Sequence, residues 1–411
     1  MGKAKQHDIS KYAVMKAFEI VKRNKGAAGV DGQSIKEFEE NLKDNLYKLW
    51  NRMSSGCYFP PPVLEVEIPK KGGGGRILGI PTVADRVAQM VAKLYLEPMV
   101  EPSFHSDSYG YRPNKSAKDA ITVTRKRCWQ YDWVIDMDIK GFFDNMEHEK
   151  VMLALERHTN LRWIHLYVTR WLKAPIQSRD GKSKEREKGT PQGGVISPLL
   201  ANLFLHYSFD EWVKREYPQN PFARYADDIV MHCQSREEAE TLLKRIRERL
   251  KDCGLDLHPD KTKIVYCKDD NRTGNDEHEK FDFLGYTFRG RSSRNWKDKL
   301  FVNFSPAISP DSKGKIREKV RAWDLKAKTG RSLRSLAKGL INPQVRGWIE
   351  YYGKFHKSEL YDIIDYIQEK LVLWIRKKYG KGKISDEKAR RLLRRIKKRE
   401  PQLFVHWKFS G

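Results

Sequence analysis

The sequence contains few cysteines and no long apolar run. Its five cysteines include no C-x-x-C pair, which argues against a zinc ribbon, and their odd number argues against a disulfide framework. No window reaches eighteen uninterrupted apolar residues, so the sequence predicts no transmembrane helix and no membrane partner. The N-terminal stretch MGKAKQHDISKYAVMKAFEI lacks the apolar region of a secretory signal, so we expect a cytoplasmic protein.

Positive charge, by contrast, is present in large excess. The net charge is +26, and residues 291–411 carry 32 Lys and Arg against 12 Asp and Glu, so +20 of the total lies in this segment. Excess charge at one end of a chain points to a polyanionic partner. A well-solvated surface is the alternative. Aromatic side chains that can stack on bases are interleaved with the charge: Trp323, Trp348, Tyr351, Tyr352, Trp374 and Trp407.

The stretch EKARRLLRRIKKREP holds the densest part of this charge. It predicts a helix that docks through Leu392, Leu393 and Ile396. Basic side chains cover most of the remaining circumference: Arg390, Arg391, Arg394, Arg395, Lys397 and Lys398. We expect four of them to bind nucleic acid, unless the helix is simply solvated: Arg391, Arg394, Arg395 and Lys398.

The order of predicted elements mixes helix and strand. VLEVEIP and RILGIP predict a β-hairpin around a glycine loop, and residues 82–101 and 114–130 predict amphipathic helices. Residues 133–139 predict a buried strand, followed by a helix that Asp144 caps together with Glu147. KTKIVYC and FDFLGYTF predict short strands. From about residue 309 the pattern is helical.

The short stretch RYADDIVMHC, residues 224–233, places two adjacent carboxylates inside an apolar, β-branched run. The apolar residues predict a pair of hairpin strands with Ala226 and Asp227 at or near the turn. Adjacent anions repel each other and lose hydration when they are partly buried. Asp227 and Asp228 therefore require a counter-charge, unless the turn is simply exposed.

A third carboxylate, Asp138 in VIDMDIKGFF, ends another predicted strand. Because strand side chains alternate, Val134, Asp136 and Asp138 share one face. If acids from a strand end and a hairpin turn converge, cations must neutralise them, and hard oxygen ligands suit Mg²⁺. Two such ions, about 3.5–4 Å apart, stabilise the attacking and leaving oxygens of an in-line phosphoryl transfer. The apolar strands and the intervening Pro-Gln-Gly-Gly loop favour this site over an exposed turn.

Five segments closely resemble, in this order, successive motifs of bacterial group II intron reverse transcriptases: DIKGFFD, GTPQGGVISPLLANLFL, RYADD, HPDKTKIVY and FDFLGYTF. The upstream segments NKGAAGVDG, IPKKGGGGRILGIPTVADRVAQ and SYGYRPNKSAKDAI resemble the N-terminal extension and fingers of the same group. The likeness covers residues 15–290, and INPQVRGWIEYYGKF resembles the thumb or maturase region. Any single motif would be a weak signal, whereas the ordered set is specific.

The resemblance implies an α+β right-hand polymerase, with fingers and a palm (an antiparallel sheet plus helices) followed by a helical thumb/maturase domain. It assigns residues 1–90 to the N-terminal extension and the start of the fingers, and residues 91–290 to the fingers and palm. Residues 291–375 would form the thumb/maturase domain, and residues 376–411 a basic nucleic-acid-binding segment.

The activity implied is RNA-directed DNA polymerisation by two-metal phosphoryl transfer, with Mg²⁺ or alternatively Mn²⁺. The implied partners are an RNA template, a DNA primer, deoxynucleoside triphosphates, the chain's own group II intron RNA and target DNA. The implied location is the bacterial cytoplasm, in association with the nucleoid.

The same resemblance gives roles to residues around the carboxylates. Asp138 and Asp227 match the two metal-bridging ligands, and Asp228 matches the third catalytic acid. Ile139 would offer its backbone carbonyl to the nucleotide-bound metal. Phe143 matches the residue beneath the incoming sugar, where its ring would clash with a 2′-hydroxyl and favour deoxynucleotides. A core aromatic is the alternative for Phe143.

Further matches concern the substrates. Arg76 and Lys70 match the fingers residues that hold the triphosphate, unless they form a solvated hairpin tip. Gln192 and Gly193 match the loop that packs against the nascent base pair. Lys261 matches the lysine that protonates the pyrophosphate leaving group, unless it is an ordinary surface lysine. FLGY matches the primer grip, in which glycine permits close backbone approach to the primer: Phe283, Leu284, Gly285 and Tyr286.

Alternatives stay open at this point. A domesticated reverse transcriptase of phage defence, CRISPR spacer acquisition or DNA repair would share these motifs. A splicing factor with an inactive polymerase site is opposed by the three carboxylates, Gln192 and Arg76, and an RNA-dependent RNA polymerase is opposed by Phe143. Many relatives carry a His-Asn-His endonuclease with paired cysteines, which we do not expect here because no cysteine follows Cys267.

Overall fold

The computed structural model describes residues 7–69, 75–380 and 384–409 and mixes helices with three β-sheets, in agreement with the α+β prediction. The chain divides into two units. The first comprises residues 1–120 and 135–263, and the second comprises residues 121–134 and 264–411. No described helix combines the length and apolarity that crossing a membrane requires.

The helices, in chain order, are α1 (Lys11–Asn24), α2 (Ile35–Glu40), α3 (Leu42–Ser54), α4 (Val83–Val100), α5 (Ala117–Arg127), α6 (Phe142–Asn145), α7 (His148–Glu156), α8 (Arg162–Lys173), α9 (Ser197–Leu205), α10 (Glu211–Glu216), α11 (Arg236–Asp252), α12 (Pro310–Ala322), α13 (Leu333–Leu336), α14 (Asn342–Tyr352), α15 (Tyr361–Gly380) and α16 (Asp386–Arg399). The strands are β1 (Val63–Pro69), β2 (Gly75–Ile80), β3 (Trp133–Asp138), β4 (Ile176–Gln177), β5 (Ser183–Lys184), β6 (Phe222–Tyr225), β7 (Asp228–Cys233), β8 (Lys263–Tyr266), β9 (Lys280–Phe283), β10 (Tyr286–Arg294) and β11 (Leu300–Ile308).

The first unit contains the predicted hairpin of β1 and β2. The two strands pair antiparallel from Leu64 opposite Ile80 to Pro69 opposite Gly75, and β1 also pairs in parallel with β4. Helix α4 follows β2 directly. The Thr82 hydroxyl caps this helix by accepting a hydrogen bond from the backbone N–H of Asp85.

A second sheet of this unit carries the carboxylates. Strands β6 and β7 pair antiparallel, and β7 lies between β6 and β3. Apolar residues of β6 and β7 bury this sheet: Phe222, Ala223, Ile229 and Val230 are all at most 1% exposed. Helix α9 is apolar around its circumference and buried, as expected of a core helix. It continues into a π-helical turn at His206–Asp210.

In the second unit, β9, β10 and β11 form an antiparallel sheet in which the stacked rings of Phe281 and Phe288 lie 4.7 Å apart. Helices α12 to α16 surround a core that includes Trp374, Leu371 and Leu393. Helix α12 begins at Pro310 after a Ser309 cap, which confirms the predicted onset of helical structure. Residues 291–308, however, lie in the segment expected to be helical and form most of the β10–β11 hairpin.

Two local predictions were wrong. Asp144 does not cap a helix: it lies inside the short α6, and α7 starts only at His148, after an N-cap Glu147 that makes no side-chain hydrogen bond. FDFLGYTF is a hairpin rather than one strand, because the chain reverses at Leu284 (φ +50°) and Gly285 (φ +80°). Two successive positive φ angles are typical of the type I′ turns that join twisted strands.

Candidate active site

The two adjacent carboxylates lie at a hairpin turn, as predicted. Strand β6 ends at Tyr225, which pairs with Asp228 at the start of β7, so Ala226 and Asp227 form a two-residue turn. Ala226 has a φ of +58°, a left-handed conformation that costs a residue with a Cβ about 1–2 kcal/mol. Contacts around the turn must therefore hold it in place.

The main such contact is a buried arginine that the sequence analysis did not identify. Arg224 and Asp210 are both fully buried, and Arg224 Nε donates to Asp210 Oδ1 at 2.7 Å. Its Nη1 donates to Asn202 Oδ1 at 3.0 Å and to the carbonyl oxygen of Ala226 at 3.2 Å. Only the apolar surroundings of an arginine inside a strand could have signalled this role.

A glycine packs against the same turn. A Cβ placed on Gly110 would lie 2.5 Å from the backbone nitrogen of Ala226, so no larger residue fits there without a shift. The Gly110 carbonyl accepts a hydrogen bond of 2.6 Å from Asn202 Nδ2. The SYGYRP motif, singled out earlier for its resemblance to the fingers, therefore supports the turn that carries Asp227.

The third carboxylate, Asp138, is the last residue of β3, the neighbour of β7. The Asp-Asp turn and the segment after Asp138 both contact α9: Arg224 reaches Asn202, and the rings of Phe142 and Phe204 lie 6.3 Å apart. The two contacted α9 residues are only two positions apart, about 3 Å along the helix axis. Asp138 itself stands at one end of the sheet, as the last residue of β3.

A lysine provides a counter-charge at this end of the sheet. Lys261 Nζ donates to Asp138 Oδ2 at 2.8 Å, and the two side chains are 59% and 32% exposed. The backbone fixes the approach, because His258 N–H donates to the Asp138 carbonyl and Ile139 forms a bridge with Leu257. The predicted functional lysine of HPDKT thus contacts a predicted catalytic carboxylate.

The three predicted catalytic carboxylates are the kind of ligand that a divalent metal ion prefers. Asp138, Asp227 and Asp228 offer hard carboxylate oxygens, and all three side chains are partly exposed. Within residues 7–69, 75–380 and 384–409, no three His, Cys, Asp or Glu side chains are grouped as a complete ligand set. The ion pair with Lys261 instead occupies one oxygen of Asp138.

The Pro-Gln-Gly-Gly loop packs against the β1–β2 hairpin. The Gln192 carbonyl accepts a hydrogen bond of 2.9 Å from Gly79 N–H, and a Cβ on Gly193 would lie 2.5 Å from the Gly79 carbonyl oxygen. The Gln192 amide also lies 3.4 Å from Asp144 Oδ2. Gly193 adopts a φ of +128°, which L side chains rarely adopt, so this position requires glycine.

A buried network that the sequence analysis missed holds the far side of this loop. Asp85 is 1% exposed and accepts hydrogen bonds from Tyr58, Trp171 and Gln89. The side-chain Oε1 of Gln89 in turn accepts a hydrogen bond from the backbone N–H of Val195 at 2.7 Å. Burial raises the pKa of Asp85, although its three hydrogen-bond donors oppose the shift.

Phe143 and Ile139 are both buried, 7% and 2% exposed. Phe143 lies in α6, its ring is 5.3 Å from that of Phe142, and its carbonyl accepts a hydrogen bond from Thr190 N–H at 2.7 Å. The backbone of the predicted sugar-contacting residue is therefore tied to the loop that carries Gln192.

Of the two predicted triphosphate ligands, the structure describes only the backbone of one. Lys70 lies outside the described residues. The backbone of Arg76 pairs with Ile68 in the β1–β2 hairpin, and the Arg76 side chain is outside the description. Their roles stay predictions.

The predicted primer grip, in the second unit, is the β9–β10 turn. The Leu284 carbonyl accepts a hydrogen bond from Tyr351 Oη at 2.9 Å, and the Gly285 carbonyl accepts one from Ser312 Oγ at 2.9 Å. A Cβ on Gly285 would lie 3.0 Å from Ser312 Oγ and 3.1 Å from Tyr352 Oη. The close approach at Gly285 in this structure is therefore to α12 and α14. The flanking Phe283 and Tyr286 are buried.

The predicted basic helix is α16. It buries Ala389 and Leu393, while Leu392 and Ile396 pack against the core of the second unit. The four residues expected to bind nucleic acid are exposed: Arg391, Arg394, Arg395 and Lys398. Arg391 pairs with Glu387 one turn away on the same helix.

Comparison with known families agrees with this arrangement. Residues 68–288 match the family described as reverse transcriptase (RNA-dependent DNA polymerase), and residues 313–396 match the group II intron, maturase-specific domain. The first match spans more than half of the chain. The chain therefore belongs to the reverse transcriptase family, as its motifs predicted, and is by class an RNA-directed DNA polymerase. The two matched domains imply nucleic acid partners.

Individual relatives extend the comparison. Protein YkfC of Escherichia coli (strain K12) is 31% identical over 320 residues, which cover 68% of this chain and 80% of YkfC. Group II intron-encoded protein LtrA of Lactococcus lactis subsp. cremoris is 31% identical over 245 residues, which cover 57% of this chain and 38% of LtrA. The chain thus spans most of the first relative and well under half of the second.

Proposed function

We propose that the chain copies RNA into DNA at a site formed by Asp138 and the Asp227–Asp228 turn at one end of the sheet, in a right-hand arrangement of fingers, palm and thumb. The single observation that carries this proposal is the rigid support of the turn. A fully buried ion pair between Arg224 and Asp210, with a further bond to the Ala226 carbonyl, holds a strained backbone in place. Such strain is typical of sites where a side chain must point in one direction.

The reverse transcriptase family uses divalent metal ions. Asp138 and Asp227 would hold the metal in this chain, with Asp228 as the third acid, the Ile139 carbonyl as a further ligand, and Mg²⁺ as the ion that best suits these oxygens. When bound, the metal supplies Lewis-acid stabilisation of the attacking and leaving oxygens. Lys261 neutralises Asp138 in this structure and is the group that we assign as proton donor to the pyrophosphate.

Substrate selection would depend on the parts of the first unit around this end of the sheet. Phe143, fixed through its carbonyl to Thr190, would exclude a 2′-hydroxyl and so favour deoxynucleotides. Gln192 and Gly193 would contact the nascent base pair. The contacts of their loop with Gly79 and Gln89 would hold it in place for this role. Lys70 and Arg76 would bind the triphosphate.

In the second unit, the matched maturase-specific domain and the exposed cations of α16 support binding of structured RNA. We therefore propose that the chain binds its own group II intron RNA for splicing and mobility, and that α16 contributes phosphate contacts. The turn at Leu284 and Gly285 would lie along the DNA primer.

Primer extension on an RNA template tests the polymerase site. Asp227→Asn keeps the side-chain size but removes a charged ligand, so extension should fall by orders of magnitude while RNA binding persists. Asp260→Asn is a matched control, because Asp260 is an exposed carboxylate of the same HPDKT segment as Lys261. Near-normal extension by Asp227→Asn or Asp138→Asn would show that the metal ligands are assigned wrongly.

Salt titration of RNA binding tests the proposal that α16 contributes phosphate contacts to the intron RNA. The slope of log K against log[salt] falls by about 0.7–0.9 for each cation that no longer neutralises a phosphate. The test variant replaces four cations of α16 with glutamine: Arg391, Arg394, Arg395 and Lys398. The control variant replaces four exposed cations of α11: Arg236, Lys244, Arg247 and Lys251. Superimposable titrations of test variant and wild type would leave α16 a solvated face.

A further inference from the structure

We propose that the second unit contains a binding site for a phosphate group of a nucleic acid strand, separate from α16 and from the primer-grip turn. The site is an open cavity of about 260 Å³, and the residues that line it include Arg125, Ser293, Arg294, Lys354, Phe355 and His356. The proposal rests on the proposed function only in that the chain binds nucleic acid.

Arg125 is the central residue of this cavity. Its guanidinium lies over the ring of Trp129, 4.5 Å from the centroid, and 5.5 Å from that of Phe355. The Nε atom is buried and has no hydrogen-bond partner among the described residues. Burial lowers the pKa of Arg125, and no neighbouring carboxylate offsets that effect. A cation desolvated between two rings without an anion favours an anionic ligand.

The surroundings are also cationic. Lys354 Nζ lies 5.3 Å from the Phe355 centroid and donates to Thr122 Oγ1 at 3.0 Å, a neutral partner that leaves its charge uncompensated. Burial and the nearby cations Arg291, Arg125 and Arg289 lower the pKa of His356, and Glu359 alone opposes them.

That carboxylate is already engaged. Glu359 accepts from Arg291 at 2.7 Å and from Lys313 at 2.8 Å. One carboxylate therefore faces several cations. Of the three cations that line the cavity, Arg294 pairs with Asp298 at 2.8 Å, whereas neither Arg125 nor Lys354 makes an ion pair with a described residue. An anion bound between them would complete the charge balance.

The shape and chemistry favour a phosphate. The guanidinium fork binds two oxygens of a phosphate at once, and the hydroxyl of Ser293 on the cavity wall is suited to a further oxygen. The volume exceeds several-fold the ~30 Å³ share of one water molecule, so a phosphate group fits. The ring of Trp129, which is 42% exposed, is suited to stack on an adjacent base, which a free phosphate would not use.

Crosslinking of the full chain to a 4-thiouridine-containing single-stranded RNA tests the site directly. Irradiation followed by peptide mapping should place crosslinks on the peptides that contain Trp129 or Phe355. Arg125→Gln and Lys354→Gln should each reduce these crosslinks several-fold and lower the salt slope of binding by about 0.7. Lys126→Gln, which removes an exposed charge from the same helix, is the matched control.

Additional measurements keep the result interpretable. Arg125→Lys keeps the charge but loses the guanidinium that binds two oxygens at once, so it should retain part of the crosslinking. This variant keeps the test valid if Arg125→Gln lowers the melting temperature of the chain. Asp227→Asn should lose primer extension and keep these crosslinks, so failure of this site and failure of the polymerase site are distinguishable.

Two outcomes would overturn the proposal. In the first, the crosslinks fall on other peptides, or Arg125→Gln and Lys354→Gln match the Lys126→Gln control. In the second, inorganic phosphate or a deoxynucleoside triphosphate, at the same phosphate concentration as the RNA, abolishes the crosslinks; the cavity would then be a site for free anions.

Discussion

Replacing Arg224 with methionine tests how the turn that carries Asp227 is held. The change keeps the side-chain length but leaves the carboxylate of Asp210 buried without its cation, since both side chains are fully buried. Removal of one partner of such a pair costs about 3–5 kcal/mol. Asn202 Oδ1 and the Ala226 carbonyl also lose a donor. Against a total stability of about 5–15 kcal/mol, this loss is large.

Two companion variants separate charge from geometry. Arg224→Lys keeps the charge but cannot bond Asp210, Asn202 and Ala226 together, so its loss of stability should be smaller than that of Arg224→Met. The double variant Arg224→Met/Asp210→Leu removes the unpaired carboxylate and should regain most of the lost stability. Its primer extension should nevertheless stay low, because nothing then holds the Ala226 carbonyl.

Urea unfolding gives the free energies, and single-nucleotide extension gives the activity. Arg236→Met is the control, because its pair with Glu240 is about half exposed and should contribute less than about 1 kcal/mol. The explanation fails if Arg224→Met costs no more than Arg236→Met. It also fails if the double variant is as unstable as the single one, or if its extension recovers with its stability.

Further predictions concern the second unit and the substrate site. Burial lowers the pKa of His406 to about 4, so below the ordinary histidine pKa near 6.5 the unfolded state binds a proton that the folded state excludes. The free energy of unfolding should therefore fall by up to about 3 kcal/mol between pH 6.5 and 4 and level off below that range. His406→Leu should remove this part of the pH dependence of unfolding. Phe143→Val should raise kcat/KM for ribonucleotides relative to deoxynucleotides, and an unchanged ratio would make Phe143 a core aromatic. Gln89→Leu removes the acceptor of Val195 N–H and one donor to Asp85. It should raise the KM for deoxynucleotides more than a distant variant that lowers the melting temperature by the same amount. Equal KM values for these two variants would refute the role of Gln89 in positioning the Gln192 loop.

Much of the fold could be predicted from local sequence. Apolar runs and turn residues indicated the β1–β2 and β6–β7 hairpins, and Ser309-Pro310 marks the start of the C-terminal helices in the structure as periodicity predicted. The β9–β10 turn was missed because Leu284, a residue that rarely adopts positive φ, occupies its first position. The prediction that Asp144 caps a helix was wrong because Asp144 lies inside a short helix after Gly141, and the Phe143 carbonyl of that helix accepts a hydrogen bond from a distant loop.

For the site, the motifs predicted roles for particular charged residues but could not show the partners of those residues. Asp138, Asp227 and Lys261 were all identified from motifs, and the contact between Asp138 and Lys261 required the structure. Neither Arg224 nor Asp85 could be assigned, because both act inside the core through partners far along the chain. Periodicity shows whether a residue is buried. It does not show which buried polar groups meet.

The buried ion pair of Arg224 and Asp210 is better explained by positioning than by stability. A buried pair often contributes little net stability, because desolvation of both charges offsets their attraction. What it does provide here is a guanidinium fixed by two carboxylate oxygens and one amide oxygen, whose Nη1 also donates to the Ala226 carbonyl. That donor stabilises a left-handed residue that would otherwise relax, and Gly110 leaves no room for the turn to shift towards it. We therefore expect the core to set the backbone of the turn that carries Asp227, and an apolar replacement of the pair to match its stability without holding that backbone.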